Sequence, residues 1–221
     1  MKKVMIIGGA GRMGLATAQI LLKKGYSVII AGRNEGKLKV LTDELGANCE
    51  YLSVDANRTE ELKAALSQTS DLKHIVVSVS TRANASGINH TTVNEAKDAF
   101  QRFWISYNVL HQAAQFLDRD GSVTLISGSS AKIPLKGFGV WGTLHGSLNS
   151  LVKQAAIDIA PIRVNAISPG GIGMNPDRQL AEHYGSFEDI ANMIAAVIEN
   201  PAVTATIIDV DSGERQGTWN G

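Results

Sequence analysis

Lys3-Val4-Met5-Ile6-Ile7-Gly8-Gly9-Ala10-Gly11-Arg12-Met13-Gly14 is the stretch that decides the fold. It opens as a short apolar run of strand length, and from Arg12 to Lys24 the residues Leu15, Ala18, Leu21 and Leu22 recur on one helical face. The glycines between strand and helix fit GxGxxG through Gly9, Gly11 and Gly14, and equally GxxGxxG through Gly8, Gly11 and Gly14. Missing Cβ atoms permit a tight turn, let backbone N–H groups approach a pyrophosphate, and bring the positive end of the helix to the anion. Alone the pattern is weak, but between the first strand and first helix of a βαβ unit it points to dinucleotide binding. A P-loop is excluded, because no Gly-Lys-Ser/Thr ending follows.

Outward from this stretch the same order repeats. Strands are expected at Ser27 to Ala31, Glu50 to Val54, His74 to Val79, Val123 to Ser127, Arg163 to Ile167 and Thr206 to Val210. Helices are expected at Glu35 to Leu45, Glu60 to Ser67, Val93 to Leu117, Trp141 to Ile159 and Phe187 to Glu199. Strict alternation implies right-handed βαβ crossovers, hence an α/β fold whose parallel sheet is covered by helices on both faces. No Pro/Ser-rich linker or tandem repeat divides the 221 residues, so a single domain over 1–221 is expected.

Composition narrows the function. Lys plus Arg and Asp plus Glu each total 21, and this zero net charge lacks the basic footprint of a nucleic-acid binder. A single cysteine, Cys49, forms no disulfide framework within the chain and no metal-ligand spacing, which points to a reducing, cytoplasmic setting and no metal. Lys2-Lys3 and the apolar run after them could begin a signal peptide, but Gly8, Gly9 and Arg12 interrupt it, and no other run approaches membrane-spanning length. Only the 22 glycines against 5 prolines are unusual, and their positions carry the rest of the reading.

Ligands of an open parallel sheet bind beyond the carboxyl ends of its strands. An NAD site usually ends its second strand in Asp or Glu to hold the adenine ribose; this strand ends Ile30-Ala31-Gly32-Arg33. Gly32 removes the acidic repulsion and Arg33 offers a fork for a 2′-phosphate, with Arg12 able to close on the same group, so NADP(H) is the expected cofactor. Asp55, after the third strand, reads as an acceptor for the adenine amino group or as a cap of the turn before the next helix.

With the glycine loop, Ala31-Gly32-Arg33, Val54-Asp55, Ile162-Arg163-Val164-Asn165-Ala166-Ile167-Ser168-Pro169-Gly170 and Asp209-Val210-Asp211-Ser212-Gly213, the sequence resembles the short-chain dehydrogenase/reductase family over nearly its whole length. The resemblance implies a doubly wound, seven-stranded Rossmann sheet in three αβα layers, with a short substrate lid around 171–186. It assigns cofactor contacts to Gly8, Gly11, Arg12, Met13, Gly14, Ser78, Val79, Ser127, Pro169 and Gly170, and puts the nicotinamide carboxamide on the backbone near Ile172. The threonine or serine that often follows falls at Met174. A homodimer or homotetramer is implied through the helices Val93–Leu117 and Trp141–Ile159 and the last strand.

At the reaction centre the sequence departs from that family. Its tyrosine and the lysine four residues later align with Trp141 and His145, its serine with Gly128 or the neighbouring Ser129, and its helix asparagine with Phe103. An indole N–H can orient an oxygen but cannot give up its proton near neutrality. His145 can donate to ribose hydroxyls or act as a general acid, since an imidazole titrates near pH 6.5. The candidate catalytic residues are therefore His145, Ser129 and Trp141. Tyr107, His183 and Tyr184 are further acids, and Lys132 and Lys136 are candidates to greet an anionic substrate. Two functions stay open: an NADP(H)-dependent oxidoreductase acting on a small carbonyl or alcohol, and a non-catalytic NADPH-binding sensor or partner protein.

Overall fold

A computed structural model describes residues 2–81, 86–170, 172 and 179–214. Its strands are β1 (Lys3–Ile7), β2 (Ser27–Gly32), β3 (Cys49–Ser53), β4 (Leu72–Val77), β5 (Ser122–Ile126), β6 (Arg163–Pro169) and β7 (Ile207–Val210). The helices between them are α1 (Arg12–Lys23), α2 (Glu35–Leu45), α3 (Thr59–Ser67), α4 (Val93–Phe116), α5 (Gly139–Asp158) and α6 (Phe187–Glu199). All strand pairs are parallel, in the order β3-β2-β1-β4-β5-β6-β7. The seven-stranded, doubly wound sheet expected from the alternation is what forms, and its strand order reverses between β1 and β4.

Side chains alternate across the pleat and so feed two cores. Met5, Ile7, Ile29, Ile75, Val77, Val123 and Leu125 pack with Leu62, Val109, Leu144 and Leu148 from α3, α4 and α5. Val4, Ile6, Val28, Ile30, Val76 and Ile167 pack on the opposite face with Leu21, Leu38, Ile190 and Ile194 from α1, α2 and α6. Near-continuous apolar strands follow from this, because a parallel sheet is covered on both sides.

Two boundaries matter for the site. β4 starts at Leu72 and stops at Val77, not Val79, which releases Ser78 and Val79 into the crevice. β5 likewise stops at Ile126, and a single 3-10 turn (Ser129–Ala131) intervenes before α5. The registers Ile7↔Ala31 and Ile7↔Val77 align the carboxyl ends of the central strands, so Gly8, Gly32 and Ser78 open onto one edge.

Candidate functional site

The glycine turn is as tight as its sequence requires. Gly8 adopts a positive φ of 87°, and a Cβ there would meet the Ser78 carbonyl at 2.5 Å; one at Gly14 would meet the Gly8 carbonyl at 2.5 Å. These close approaches fold the chain directly into α1, whose amino end is capped by no side chain and carries no acid in its first turn. The helix therefore presents bare N–H groups and a positive dipole end to the crevice, which suits an anion.

Two cavities flank this turn. The larger, about 940 Å³, is lined by Gly8, Gly11, Gly32, Arg33, Asp55, Ser78, Val79 and Thr81, among others. The smaller, about 440 Å³, runs from Gly11, Arg12 and Met13 past Ser78 and Val79 to Ser127, Gly128, Ser129, Ser130, His145, Pro169, Gly170 and Ile172. Gly11, Ser78, Val79 and Ser80 line both, so the two form one trough across the switch point.

In the larger cavity Arg33 is exposed, and a Cβ at Gly32 would meet nothing within 4 Å. Asp55 lines the wall while its Oδ1 accepts from the Asn57 backbone N–H at 3.1 Å, so the turn-capping reading and the cavity-facing reading coexist. Arg12 departs from expectation. Its guanidinium lies 4.9 Å from the centre of the Phe187 ring and lines the smaller cavity, so the two arginines do not converge on one group.

The far end of the smaller cavity is built around His145. Its Nε2 faces the Arg102 Nη1 at 3.3 Å and its Nδ1 faces the Ser130 Oγ at 2.9 Å. A guanidinium can only donate, so Nε2 accepts, Nδ1 carries the ring proton, and the Ser130 oxygen accepts it. Burial foremost, with the Arg102 charge beside it, lowers the His145 pKa to about 3. The imidazolium acid expected near neutrality is thus corrected: His145 is a neutral ring that orders Ser130.

Gly128 explains how the ring fits. A Cβ there would lie 2.5 Å from the His145 Cε1 and 2.6 Å from its Nδ1, so the imidazole fills the space of a residue-128 side chain. Ser129 lines the cavity, as expected of a candidate, but the hydroxyl joined to His145 is that of Ser130. Trp141, in the first turn of α5, stacks on His145 with ring centres 6.4 Å apart and 29° between planes. It packs against the core and lines neither cavity, so what the structure gives it is support of the imidazole ring. Ser127 donates to the Asn149 Oδ1 at 2.6 Å, tying β5 to α5 at the cavity wall.

Several further candidates stand elsewhere. Phe103 packs against the core, and the α4 residue that reaches the smaller cavity is Arg102, one position earlier. Tyr107 is 51% exposed and lies over Phe103. His183 pairs with Asp189 at 2.8 Å on the surface, and Tyr184 is exposed. Lys132 pairs with Asp209 at 2.6 Å; neither it nor Lys136 lines a cavity. Met174 and part of the lid segment (171 and 173–178) lie outside the described residues.

Sequence reasoning missed Arg102 and Ser130. Arg102 was signalled: Ala99, Ser106, Val109 and Ala113 share its helical face and are buried, so a charge stands on the covered side of α4. Desolvation lowers its pKa to about 10, which leaves it charged at neutrality.

Comparison with known proteins agrees with this architecture. The family model described as enoyl-(acyl carrier protein) reductase matches residues 8–214. A short-chain dehydrogenase/reductase of Stachybotrys chlorohalonatus is 27% identical, with 96% of each chain covered, and the 3-oxoacyl-[acyl-carrier-protein] reductase of Mus musculus is 25% identical, covering 96% of this chain and 97% of that one. A short-chain type dehydrogenase/reductase from Mycobacterium ulcerans superposes with a TM-score of 0.89 at 24% identity, covering 98% of this chain and 90% of that one. A small-chain dehydrogenase solved in complex with NADPH superposes with a TM-score of 0.81 at 25% identity, covering 98% and 99%. With its strand order, its glycine turn and this match over almost its whole length, the chain belongs to the short-chain dehydrogenase/reductase family of oxidoreductases.

Proposed function

We propose that the chain is an NADP(H)-dependent oxidoreductase that moves a hydride between the nicotinamide and a small carbonyl or alcohol. The observation that carries this reading is the continuous trough, with Arg33 at one end, the glycine turn at its middle, and Ser130 and His145 at the other. The residues fit the cofactor: turn glycines whose missing Cβ atoms the backbone requires, an uncapped helix end for the diphosphate, and an arginine beside open space at Gly32 where an acid would repel a 2′-phosphate. Gly8, Gly11, Met13 and Gly14 would hold the diphosphate, Asp55 the adenine, Arg33 the 2′-phosphate, and Ser78, Val79, Pro169, Gly170 and Ile172 the nicotinamide half.

When bound, the reduced nicotinamide supplies the hydride. Ser130 donates its hydroxyl to the carbonyl oxygen, because His145 Nδ1–H occupies a Ser130 lone pair and turns the hydroxyl proton outward, and water supplies the proton that completes the alcohol. Ser129 is a second donor on the same wall. Arg102 fixes the His145 tautomer, and Trp141 holds its ring plane. Exposed Val93, Trp104 and Tyr107 on α4 and Ile157 on α5 support a homodimer or homotetramer through these helices.

A panel of carbonyl compounds under NADPH tests the reading. Steady NADPH oxidation above the protein-free rate supports it, with a loss of about 10²-fold or more in kcat for Ser130→Ala. Tight NADPH binding with no oxidation across the panel would favour the sensor and overturn the enzyme.

A further inference from the structure

We infer that the smaller cavity takes substrates bearing a carboxylate, and that the Arg102 guanidinium is what binds it; this rests on the reading of that cavity as the substrate site. Arg102 reaches the cavity from the middle of α4 and makes two hydrogen bonds, from Nη1 to the His145 Nε2 and from Nη2 to the Ile126 carbonyl at 3.2 Å. Both acceptors are neutral. Among the described residues no ion pair includes Arg102, and no Asp or Glu lines this cavity.

A half-buried cation without a counter-charge is partly desolvated at a cost, and that cost is recovered when an anion enters beside it. The guanidinium has five N–H donors in a planar fork that matches a carboxylate in a two-point contact, and the two bonds above leave donors for one. The other cation of the cavity, Arg12, is exposed at the start of α1 over Phe187, beside the turn that reads the diphosphate. Arg102 is thus the charge left for the substrate. Leu135, Phe138 and Ile126 form apolar wall, so the substrate class is an oxo acid with a small apolar body.

The test compares short 2-, 3- and 4-oxo acids with their uncharged methyl esters as substrates under NADPH, and measures binding of the unreactive oxamate to the NADPH-loaded protein by calorimetry. The wild-type chain is expected to favour at least one acid over its ester by about tenfold or more in kcat/KM, chiefly through KM. In Arg102→Gln that ratio falls to about one and oxamate binding is lost, while NADPH affinity is kept. Arg102→Lys restores part of the ratio and guards against a folding defect in the glutamine variant. His145→Gln lowers turnover of acid and ester alike. Equal use of acids and esters by the wild-type chain, or an acid preference that survives Arg102→Gln, overturns the assignment. If nothing is reduced, the hydride-transfer reading falls, and oxamate binding that needs Arg102 still supports the anion site.

Discussion

Gly32 meets no atom within 4 Å of an added Cβ, which makes it an unusually clean probe. Gly32→Asp introduces a carboxylate whose Cβ meets open space, so its effect reports on charge more than on packing. NADPH affinity is expected to fall and NADH affinity to hold or rise in a calorimetric titration. Arg33→Ala should cost about tenfold or more in NADPH affinity, the worth of half a pair of charge-assisted hydrogen bonds, and leave NADH unchanged. Equal losses for both cofactors would remove the phosphate role. Gly128 is the opposite kind of site, since its missing side chain is filled by the His145 ring. Gly128→Ala is expected to lower stability by about 1–3 kcal/mol in urea unfolding. His145→Ala should relieve that penalty in the double variant, as neighbours in contact do not add. From the sequence, Trp141 and His145 stood in place of two family residues, but their coupling to Gly128 was invisible. It depends on β5 and α5 meeting across the sheet.

Among the elements, β6 shows why its Arg163-Val164-Asn165 stretch is so specific. Arg163 is 9% exposed and donates to the carbonyls of Val197 at 3.0 Å, Ile198 at 2.9 Å and Val203 at 2.9 Å, while Asn165 Nδ2 donates to Val203 at 2.9 Å. These bonds satisfy the last carbonyls of α6 and the turn that feeds β7. Arg163→Ala removes the side-chain donor of the buried Val197 and Ile198 carbonyls and one of the two donors to Val203. A loss of about 3 kcal/mol or more is expected, read as a drop in Tm of roughly 6–12 °C by calorimetry. A shift under 2 °C, on the order of experimental scatter for a surface change, would contradict that role. Element identity was legible throughout, because short continuous apolar runs and period 3.6 are strong signals for buried parallel strands and for helices. The ends were not: β4 stopped at Val77 where the apolar run continued to Val79, since Gly8 and its neighbours occupy the place of a longer strand. A one-residue offset on α4 likewise separated Phe103 from Arg102, and only the packed helix decides which faces inward.

For the molecule as a whole, the buried neutral histidines set an acid limit. His74, 4% exposed and 2.8 Å from the Ser122 Oγ, has its pKa lowered from 6.5 to about 4, by burial first and by the Arg163 charge second. Between those values the unfolded chain binds a proton that the native chain refuses, so unfolding free energy falls as pH falls from about 6.5 to 4. The slope is at most about 1.4 kcal/mol per pH unit for this group, and His145 acts in the same direction. Urea midpoints at pH 7.5, 6 and 5 should decline in step, and His74→Gln should flatten the decline; a flat wild-type profile would contradict the burial argument. The overall fold and the glycine turn were readable from glycine positions and alternation because both are local in sequence. The far end of the trough joins Arg102, Ser130 and His145 from three separate segments, and no spacing in the chain announces that meeting. The most direct measurement of whether this rebuilt end works is transfer of label from NADPH deuterated at the nicotinamide C4, with the carbonyl panel as acceptor and mass spectrometry of the products. Deuterium in the alcohol carbon, diminished in Ser130→Ala and Arg102→Gln, is the predicted result. Products without label above the protein-free control, from a chain saturated with NADPH, would contradict it.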